Sequence, residues 1–379
     1  MSILVINSGS SSLKYRLYGM AHEEELDHGT VEHLDPAGEP DSQREQALRR
    51  VFEATAARHP IAAMGHRVVH GGGEFRAPVR VDDEVLHRLK GLDELAPLHN
   101  PACRLGIETA LAVAPGVPQV AVFDTGYFAS LPEHVWRYAL PRELADRHGI
   151  RRYGFHGISH EYVARAAAGQ LGRPLDELRL ITLHLGNGAS AAAIRHGHCV
   201  ETSMGMTPLE GLVMGSRTGD MDPAVVCHLQ RRTGMSADDL EAVLNRQSGL
   251  LGLCGDGDMR AIRRRAADGD GDARLAIDIF CHRLRKYIGA YGAVLGGMDA
   301  LVFTGGMGEH DAALRQDVCD GLGSLGIALD PARNAADAAF ISPDGALPAV
   351  LVIPTNEELA IARATARCLE TTPAESEGD

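Results

Sequence analysis

The most informative stretch of the hydrophobic pattern covers residues 178–202. An apolar run at 178–183 leads into a glycine-containing turn, a second apolar run covers 191–194, and a third segment covers 198–202. Short apolar runs separated by such turns predict strand, turn, strand, turn, strand. Glycines let the backbone turn tightly and bring its N–H groups close to a bound anion.

The N-terminus has the same pattern. Apolar residues 3–6 precede a small polar turn at 7–12, a strand resumes at 13–18, and a third strand is predicted at 24–31. The same unit therefore opens both halves of the chain. Two such turns facing each other would clamp a polyphosphate.

Two other interpretations of the second turn stay open. Residues 186–191 (GNGASA) satisfy the loose dinucleotide pattern G-x-G-x-x-A, but that pattern needs a following helix, and residues 191–198 are too short for one. A hairpin turn without a ligand is the other alternative.

Strands alternate with helices through the rest of the chain, which predicts a mainly parallel sheet with covered faces. Ligands of such sheets bind at the carboxyl ends of the strands. Asp124, the loop at 305–308 and residues 356–357 follow predicted strands directly. The further strands are predicted at 62–69, 117–123, 300–303 and 349–353, and the helices at 43–58, 82–95, 102–113, 160–170, 223–232, 236–245, 259–267, 274–295, 311–322 and 359–369.

Composition narrows the class of protein. A chain of 379 residues is long enough for two domains, and its net charge of −14 argues against nucleic acid or an anionic membrane as partner. Seven cysteines without a C-x-x-C pair, and no apolar run of about 18 residues, predict a cytoplasmic protein with free thiols. Lys14, one of only three lysines, lies beside the first turn.

Four motifs identify a resemblance that runs nearly from end to end. They are VINSGSSSLK at 5–14, GHRVVHGG at 65–72, YGFHG at 153–157 and PTNEE at 354–358. With them the chain resembles the acetate and propionate kinase family, which shares its fold with actin, Hsp70 and sugar kinases. The first two motifs are specific to that family, whereas the later glycine loops alone are weak signals.

The resemblance implies an α/β fold of two duplicated ribonuclease-H-like domains around a central cleft. The first domain would comprise residues 1–128 plus 359–379, and the second, nucleotide-binding domain residues 129–358. A homodimer is also implied. The implied reaction is reversible phosphoryl transfer from ATP to acetate, giving acetyl phosphate and ADP, with Mg²⁺ as cofactor, for which Mn²⁺ can substitute.

The acceptor carboxylate has an ordinary pKa near about 4, so it is ionised at neutral pH and needs no general base. The difficulty is the repulsion between two anions, which cations and hydrogen-bond donors must offset. By resemblance, Arg67 meets the acetate carboxylate, while Arg217 and His156 act on the transferring phosphoryl group. The family treats Asp124 as essential, and we expect it to arrange Mg²⁺ through water.

The resemblance assigns the remaining contacts to the metal, the acyl group and the nucleotide. The metal contacts are Asn7 and Glu357; the acyl pocket is Val69, Leu98, Phe155 and Pro208. The nucleotide contacts are Ser10, Ser12, Lys14, His184, Leu185, Gly186, Asn187, Gly188, Asp258, Met259, Arg260, Gly306, Met307, Gly308, Glu309 and His310.

The chain departs from the family pattern before Arg67, where it is shorter, at Met259, where Phe is frequent, and at His310, where Asn is frequent. A kinase for propionate or another short carboxylate is the nearest alternative. A sugar kinase would need a base and a more polar pocket. An ATPase switch of the Hsp70 or actin type would need a further peptide-binding domain or an assembly surface.

Overall fold

A computed structural model describes residues 1–8, 12–31, 40–97 and 99–371, with the side chains of 40–44 left aside. The chain divides into two compact units, Met1–Ala129 with Asn356–Asp379, and Ser130–Thr355. The expected boundary at 358 would put Asn356 in the second domain, whereas the structure groups it with the first unit. There its side-chain oxygen accepts hydrogen bonds from the Tyr18 hydroxyl at 3.0 Å and the Leu359 amide at 2.9 Å.

The sheets are mixed and not mainly parallel as expected, because three consecutive antiparallel strands open each one; the described strand pairs are four parallel and five antiparallel. The strands themselves lie close to their predicted positions. Those in the described residues are β1 (Ser2–Ser8), β2 (Leu13–Gly19), β3 (Glu24–Val31), β4 (Ala63–Val68), β5 (Val79–Arg80), β6 (Gln119–Phe123), β7 (Arg179–Leu185), β8 (Ala189–Arg195), β9 (His198–Thr202), β10 (Ala300–Thr304) and β11 (Ala349–Val352).

The helices of the described residues are α1 (Pro40–Ala56), α2 (Asp83–Gly91), α3 (Asn100–Val113), α4 (Glu133–Trp136), α5 (Arg142–Arg147), α6 (Gly157–Leu171), α7 (Ala224–Thr233), α8 (Ala237–Arg246), α9 (Gly249–Cys254), α10 (Met259–Ala267), α11 (Gly271–Leu295), α12 (Gly305–His310), α13 (Ala312–Cys319), α14 (Pro331–Ala335) and α15 (Glu357–Thr371). Short 3-10 turns cover Asp93–Leu95, Gly126–Phe128, Leu175–Glu177 and Gly323–Leu325. Within the described ranges, no helix combines the length and apolar character needed to cross a membrane.

The two sheets share one topology. In the first unit the strand order is β3-β2-β1-β4-β6-β5, and in the second it is β11-β10-β7-β8-β9. Each begins with an antiparallel three-strand meander, β1 to β3 or β7 to β9, whose first strand then pairs in parallel with the next strand of the sheet. The predicted duplication is therefore confirmed, and β5 is an additional edge strand of the first unit.

Helices cover the first sheet because its strands alternate apolar residues toward them. Leu4, Ile6 and Leu17 are fully or almost fully buried in a cluster that includes Leu48 of α1 and Ala110 of α3. Helix α15 packs against β1, β4 and β6. Because β1, β4 and β6 run parallel, their carboxyl ends lie at one edge of the sheet.

Several short elements differ from the prediction. The segment at 305–308, predicted as a glycine loop, begins helix α12 directly after β10. Strand β5 and helices α4, α5, α9 and α14 were not predicted, since two to six residues are too few to show a period. The predicted helix at 82–95 ends at Gly91 and continues as a 3-10 turn.

One histidine of the first sheet is buried away from solvent. His66 of β4 is 2% exposed, and its Nε2 lies 2.8 Å from Oε1 of Gln119 in β6. Burial lowers the pKa of His66 to about 4, although the hydrogen bond with Gln119 opposes that shift. The ring is therefore neutral in the folded protein at neutral pH.

The buried His66 should make the protein less stable in acid. Below its ordinary pKa of 6.5, His66 binds a proton in the unfolded chain, whereas in the folded protein it binds one only near pH 4. Stability from this residue is thus present above pH 6.5 and lost as the pH falls toward 4, by about 2 kcal/mol at pH 5. Urea unfolding at pH 5 and pH 7 measures the loss in the wild type and in His66→Gln, whose amide can still donate to Gln119.

We expect His66→Gln to be less sensitive to this pH change than the wild type. His87→Gln, an exposed residue of α2, is the control and should keep the wild-type difference. Equal pH sensitivity of all three proteins would contradict the assignment.

Candidate active site

In the first unit, four predicted site residues lie at the carboxyl ends of the parallel strands or directly opposite. Asn7 is next to the last residue of β1, and Arg67 is next to the last residue of β4. The register pairs Ile6 with His66, so Asn7 and Arg67 are neighbours on adjacent strands. Lys14 of β2 is directly opposite Asn7. Asp124 follows β6, where its amide donates to the carbonyl of Val68.

Arg67 is held by two carboxylates. Its Nε lies 3.1 and 3.2 Å from the Asp124 oxygens, and its Nη2 lies 2.5 Å from Oδ2 of the same residue. Glu357, the first residue of α15, approaches Nε at 3.7 Å. The Asp124 side chain is 1% exposed and that of Arg67 is 21% exposed. The pair is therefore nearly buried, with the guanidinium open on one side.

Opposing effects act on the charge of Arg67. Burial by itself lowers the pKa of this guanidinium, but Asp124 and Glu357 outweigh burial and raise the pKa above its ordinary value. Arg67 is therefore a permanent cation. Among the described residues the structure gives its Nη1 no hydrogen-bond partner. The two N–H groups of Nη1 can therefore donate to a bound anion.

The carboxylates around Arg67 suit a hard cation whose remaining ligands come from the substrate and water. The oxygen donors at these strand ends are the amide of Asn7 and the carboxylates of Asp124 and Glu357. Mg²⁺ commonly takes one or two protein carboxylates and fills its octahedron with water and phosphate oxygens. Within the described ranges, no group of three or more His, Cys, Asp or Glu side chains forms a metal cage. The residues present thus fit Mg²⁺ bound together with a phosphate, rather than a closed structural metal site.

In the second unit, three predicted residues meet at the glycine turn between β7 and β8. A Cβ atom added to Gly188 would lie 3.4 Å from Nη1 of Arg217 and 3.4 Å from Nε2 of His156. The His156 ring also stacks on that of His184, with 4.3 Å between ring centroids. Glycine at 188 leaves the space in front of both nitrogen atoms open, whereas a Cβ there would be in van der Waals contact with each.

The backbone of His156 has an unusual conformation. This residue precedes α6 with φ 60° and ψ 25°, in the left-handed region that few non-glycine residues adopt. Such conformations persist where surrounding contacts impose them, and they cluster at functional sites.

Arg217 is a half-buried cation. Its Nη1 donates to the carbonyl of Pro208 at 3.2 Å. Burial lowers the pKa of Arg217, and no carboxylate of the described residues opposes the shift. An anionic ligand would suit this guanidinium, to which the described residues give no carboxylate counter-charge.

The long loop that carries Arg217, between β9 and α7, is held by contacts that we did not predict. Arg152 donates to the carbonyls of residues 202, 203 and 204 and to Glu210. The amide of Gly215 donates to the carbonyl of Asn187 at 3.0 Å, and an added Cβ at Gly215 would lie 2.1 Å from Oδ1 of Asn187. The loop therefore sits directly on the glycine turn, and a side chain at 215 would have to displace that of Asn187.

The nucleotide residues predicted in α12 and α10 already have partners within the protein. Oε1 of Glu309 accepts from the amides of Gly305 at 2.8 Å and Thr355 at 3.1 Å, joining the ends of β10 and β11. Asp258 caps α10 and pairs with the exposed Arg260. Met259 is 2% exposed, so its side chain belongs to the core.

The structure does not gather the predicted acyl pocket within one unit. Val69 belongs to the first unit, where it packs against an apolar cluster, whereas Phe155 and Pro208 belong to the second. Leu98 and Ser10 lie outside the described residues. Ser12 and Lys14 belong to the first unit, and Lys14 is exposed.

Sequence reasoning missed a group of buried polar residues behind His156, namely Ser159, His160, Thr182 and Ser190. All four are 0% exposed. The available signal was the spacing of His156 and His160, four residues apart around the start of a helix. The polar residues of β7 and β8 gave no comparable signal, because isolated serines and threonines are common in strands.

Comparisons with known proteins agree in assigning the chain. A family model described as the acetokinase family matches residues 37–363. The acetate kinase of Leifsonia xyli subsp. xyli is 52% identical over an alignment of 386 positions, which covers 96% of this chain and 97% of that protein. The crystal structure of Porphyromonas gingivalis acetate kinase is 39% identical with a TM-score of 0.90, covering 97% of this chain and 99% of that one. A propionate kinase structure from Francisella tularensis subsp. tularensis SCHU S4 is also 39% identical, with a TM-score of 0.91 and coverage of 97% and 99%.

Two duplicated α/β units with charged groups at their strand ends place the chain in the fold class shared by actin, Hsp70 and sugar kinases. Within that class, this chain belongs to the acetokinase family.

Proposed function

We propose that this protein is an acetate kinase that transfers the γ-phosphoryl group of ATP reversibly to acetate, forming acetyl phosphate and ADP. The observation that supports this most is 52% identity to an acetate kinase along nearly the whole chain. The propionate kinase structure resembles this chain as closely as the Porphyromonas gingivalis acetate kinase structure does, with 39% identity in both cases. A propionate kinase is therefore the second candidate.

In this proposal Arg67 binds the acetate carboxylate. The nucleophile is already ionised, so the reaction needs orientation and charge compensation rather than a base. Asp124 accepts hydrogen bonds from Nε and Nη2 of Arg67, which fixes the plane of the guanidinium. We assign Asp124 to holding Arg67 and to the metal, and not to proton abstraction.

Arg217 and His156 then act on the transferring phosphoryl group. Both present nitrogen atoms to the open space at Gly188. Phosphoryl transfer spreads negative charge over the equatorial oxygens, and donors fixed in advance stabilise that charge without reorganising. The phosphoryl group would supply a counter-charge for Arg217, to which the described residues contribute no carboxylate.

Asn7, Asp124 and Glu357 would hold Mg²⁺ at the strand ends of the first unit. Bound there with ATP, the ion would neutralise phosphate oxygens. Mn²⁺ accepts the same oxygen donors and is expected to replace it. The nucleotide would contact the turn at 184–188, the first turn of α12, the region of Asp258–Arg260 and the first-unit residues near Lys14.

We also propose a homodimer in the cytoplasm. Helix α7 contains no buried residue although it carries Val225, Val226 and Leu229, so its apolar side chains suit coverage by a second copy. None of the seven cysteines, all of which the structure describes, forms a disulfide, which suits a reducing compartment. Sedimentation equilibrium should give twice the chain mass; the mass of a single chain would refute the dimer.

The acyl preference should follow the size of the side chain at position 69. Val69 packs against the apolar cluster of the first unit. A branched side chain at the wall of the proposed acyl pocket would leave little room beyond a methyl group. A methylene in an apolar pocket discriminates by roughly 10–200-fold. We expect kcat/KM to fall from acetate to propionate to butyrate in a hydroxamate assay with Mg-ATP, and Val69→Ala to narrow the gap through the propionate KM.

Val79→Ala is the matched control, because Val79 packs against the same cluster but is not assigned to the pocket. A wild-type preference for propionate would reject acetate as the substrate and leave the carboxylate kinase standing. ATP hydrolysis that does not depend on any added carboxylate would instead favour an ATPase switch.

Removing either carboxylate beside Arg67, that of Asp124 or that of Glu357, should change how the rate depends on the Mg²⁺ concentration. Glu357→Ala removes an expected metal ligand, so it should raise the Mg²⁺ concentration needed for half-maximal rate. Asp124→Asn should also raise the acetate KM, because the amide holds Arg67 less firmly. Initial rates over a magnesium titration measure both effects.

Glu358→Ala is the control for these variants. Its carboxylate lies 4.0 Å from Arg16, so the variant removes a charge next to Glu357 without touching the proposed site. The metal assignment does not survive if Asp124→Asn and Glu357→Ala both titrate with magnesium as the wild type does.

A further inference from the structure

The hydroxyl of Ser190 lies between two histidine rings. Its Oγ is 2.9 Å from Nδ1 of His156 and 2.8 Å from Nε2 of His160. On the far side, Nδ1 of His160 is 2.7 Å from Oγ1 of Thr182. Ser190, His160 and Thr182 are each 0% exposed, so these contacts form away from bulk solvent.

This geometry couples the tautomers of the two histidines. A hydroxyl carries one hydrogen, so Ser190 can donate to only one of the two nitrogens and must accept from the other. Burial lowers the pKa of His160 to about 3, so this ring is neutral and carries a single N–H. If His160 donates from Nε2, Ser190 donates to Nδ1 of His156, and a neutral His156 then carries its hydrogen on Nε2.

If the hydrogen bonds through Ser190 ran in the opposite direction, Nε2 of His156 would present a lone pair to the substrate. With the hydrogen of His156 on Nδ1, its Nε2 would face the space at Gly188 as an acceptor. That is the space proposed for anionic phosphoryl oxygens, which accept hydrogen bonds and do not donate them. Nη1 of Arg217 borders the same space as a donor, so one oxygen could accept from both groups.

The neighbouring ring shows the same arrangement. Nδ1 of His184 lies 2.8 Å from Oγ of Ser159, which in turn lies 2.9 Å from Oγ1 of Thr355. A Cβ atom added to Gly186 would lie 3.8 Å from Nε2 of His184. Both stacked rings therefore have Nδ1 beside a buried serine and Nε2 toward the glycine turn.

We propose that Ser190 and His160 are positioning residues that hold His156 in the tautomer with its hydrogen on Nε2. Thr182 donates to Nδ1 of His160, His160 donates from Nε2 to Ser190, and Ser190 donates to Nδ1 of His156. His156 is then left with one donor, which is directed at the phosphoryl group. No proton is transferred between these residues. The coupling of the two tautomers follows from the contacts alone, whereas the choice of this tautomer and the last hydrogen bond rest on the proposed function.

Nitrogen NMR of the full chain labelled with ¹⁵N-histidine tests the tautomer directly. In the wild type we expect His156 to carry its hydrogen on Nε2. In Ser190→Ala the two tautomers of His156 should both be populated. Ser203→Ala is the matched control, because it also removes a buried serine hydroxyl, one that accepts from the Ala191 amide and touches no histidine. It should leave the His156 spectrum unchanged.

Kinetics separate positioning from a merely structural role. Ser190→Ala should lower kcat by up to about 100-fold, while the KM values for acetate and ATP stay within about threefold, because ground-state contacts remain. Thr182→Val keeps the side-chain shape at the far end of the chain and should populate both tautomers of His160 with a smaller loss of kcat. This variant keeps the proposal testable if Ser190→Ala does not fold.

A hydrogen on Nδ1 of His156 in the wild type would overturn the proposal. So would a His156 tautomer that is the same in Ser190→Ala and the wild type, whatever the rate. If Ser190→Ala is not folded, an unchanged His160 tautomer in Thr182→Val overturns it. A wild-type protein that phosphorylates no carboxylate would reject the proposed function, while the NMR comparison would still decide the tautomer.

Discussion

The pairing of Arg67 with Asp124 is the interaction on which the strand ends of the first unit depend. Two strands that are neighbours in the sheet each contribute one member of the pair, so sheet register sets its geometry. A nearly buried carboxylate without its cation would be costly, and the same holds for the cation without its carboxylate. The two residues therefore hold each other in a fixed orientation, and Glu357 adds a second negative charge from the start of α15.

The second unit solves a related problem with the opposite charge balance. Arg217 is half-buried, yet the described residues give it no carboxylate, and its guanidinium rests on a backbone carbonyl instead. His156 lies beside this guanidinium at the glycine turn. The first unit thus presents carboxylates arranged around a cation, and the second presents a cation with a histidine at a glycine turn. In the proposed function the first group binds acetate and the metal, and the second binds the phosphoryl group.

Sequence patterns predicted most of the fold, because long apolar runs and amphipathic helices report their own period. The repeat of strand, glycine turn and strand led directly to the duplicated sheets. Elements such as β5 and α9 were missed because they are too short for a period. Glu357 was assigned to the wrong unit because a boundary inside a strand-to-helix turn depends on tertiary contacts, such as that between Tyr18 and Asn356. The Ser190 and His160 contacts could not be predicted, since strand register and a helix start must both be known before those side chains meet.

The route of the chain has a consequence for how it is made. Residues 130–355 form a continuous unit that contains its whole sheet, whereas the first unit needs α15 to cover β1, β4 and β6. That helix follows the whole second unit along the chain, so it is synthesised after that unit. A ribosome therefore releases a complete second unit before the N-terminal sheet can acquire its last layer, which reverses the usual order of folding from the N-terminus. Until then the face of the first sheet that α15 covers stays open, so β1, β4 and β6 acquire this packing partner only after the second unit has been synthesised.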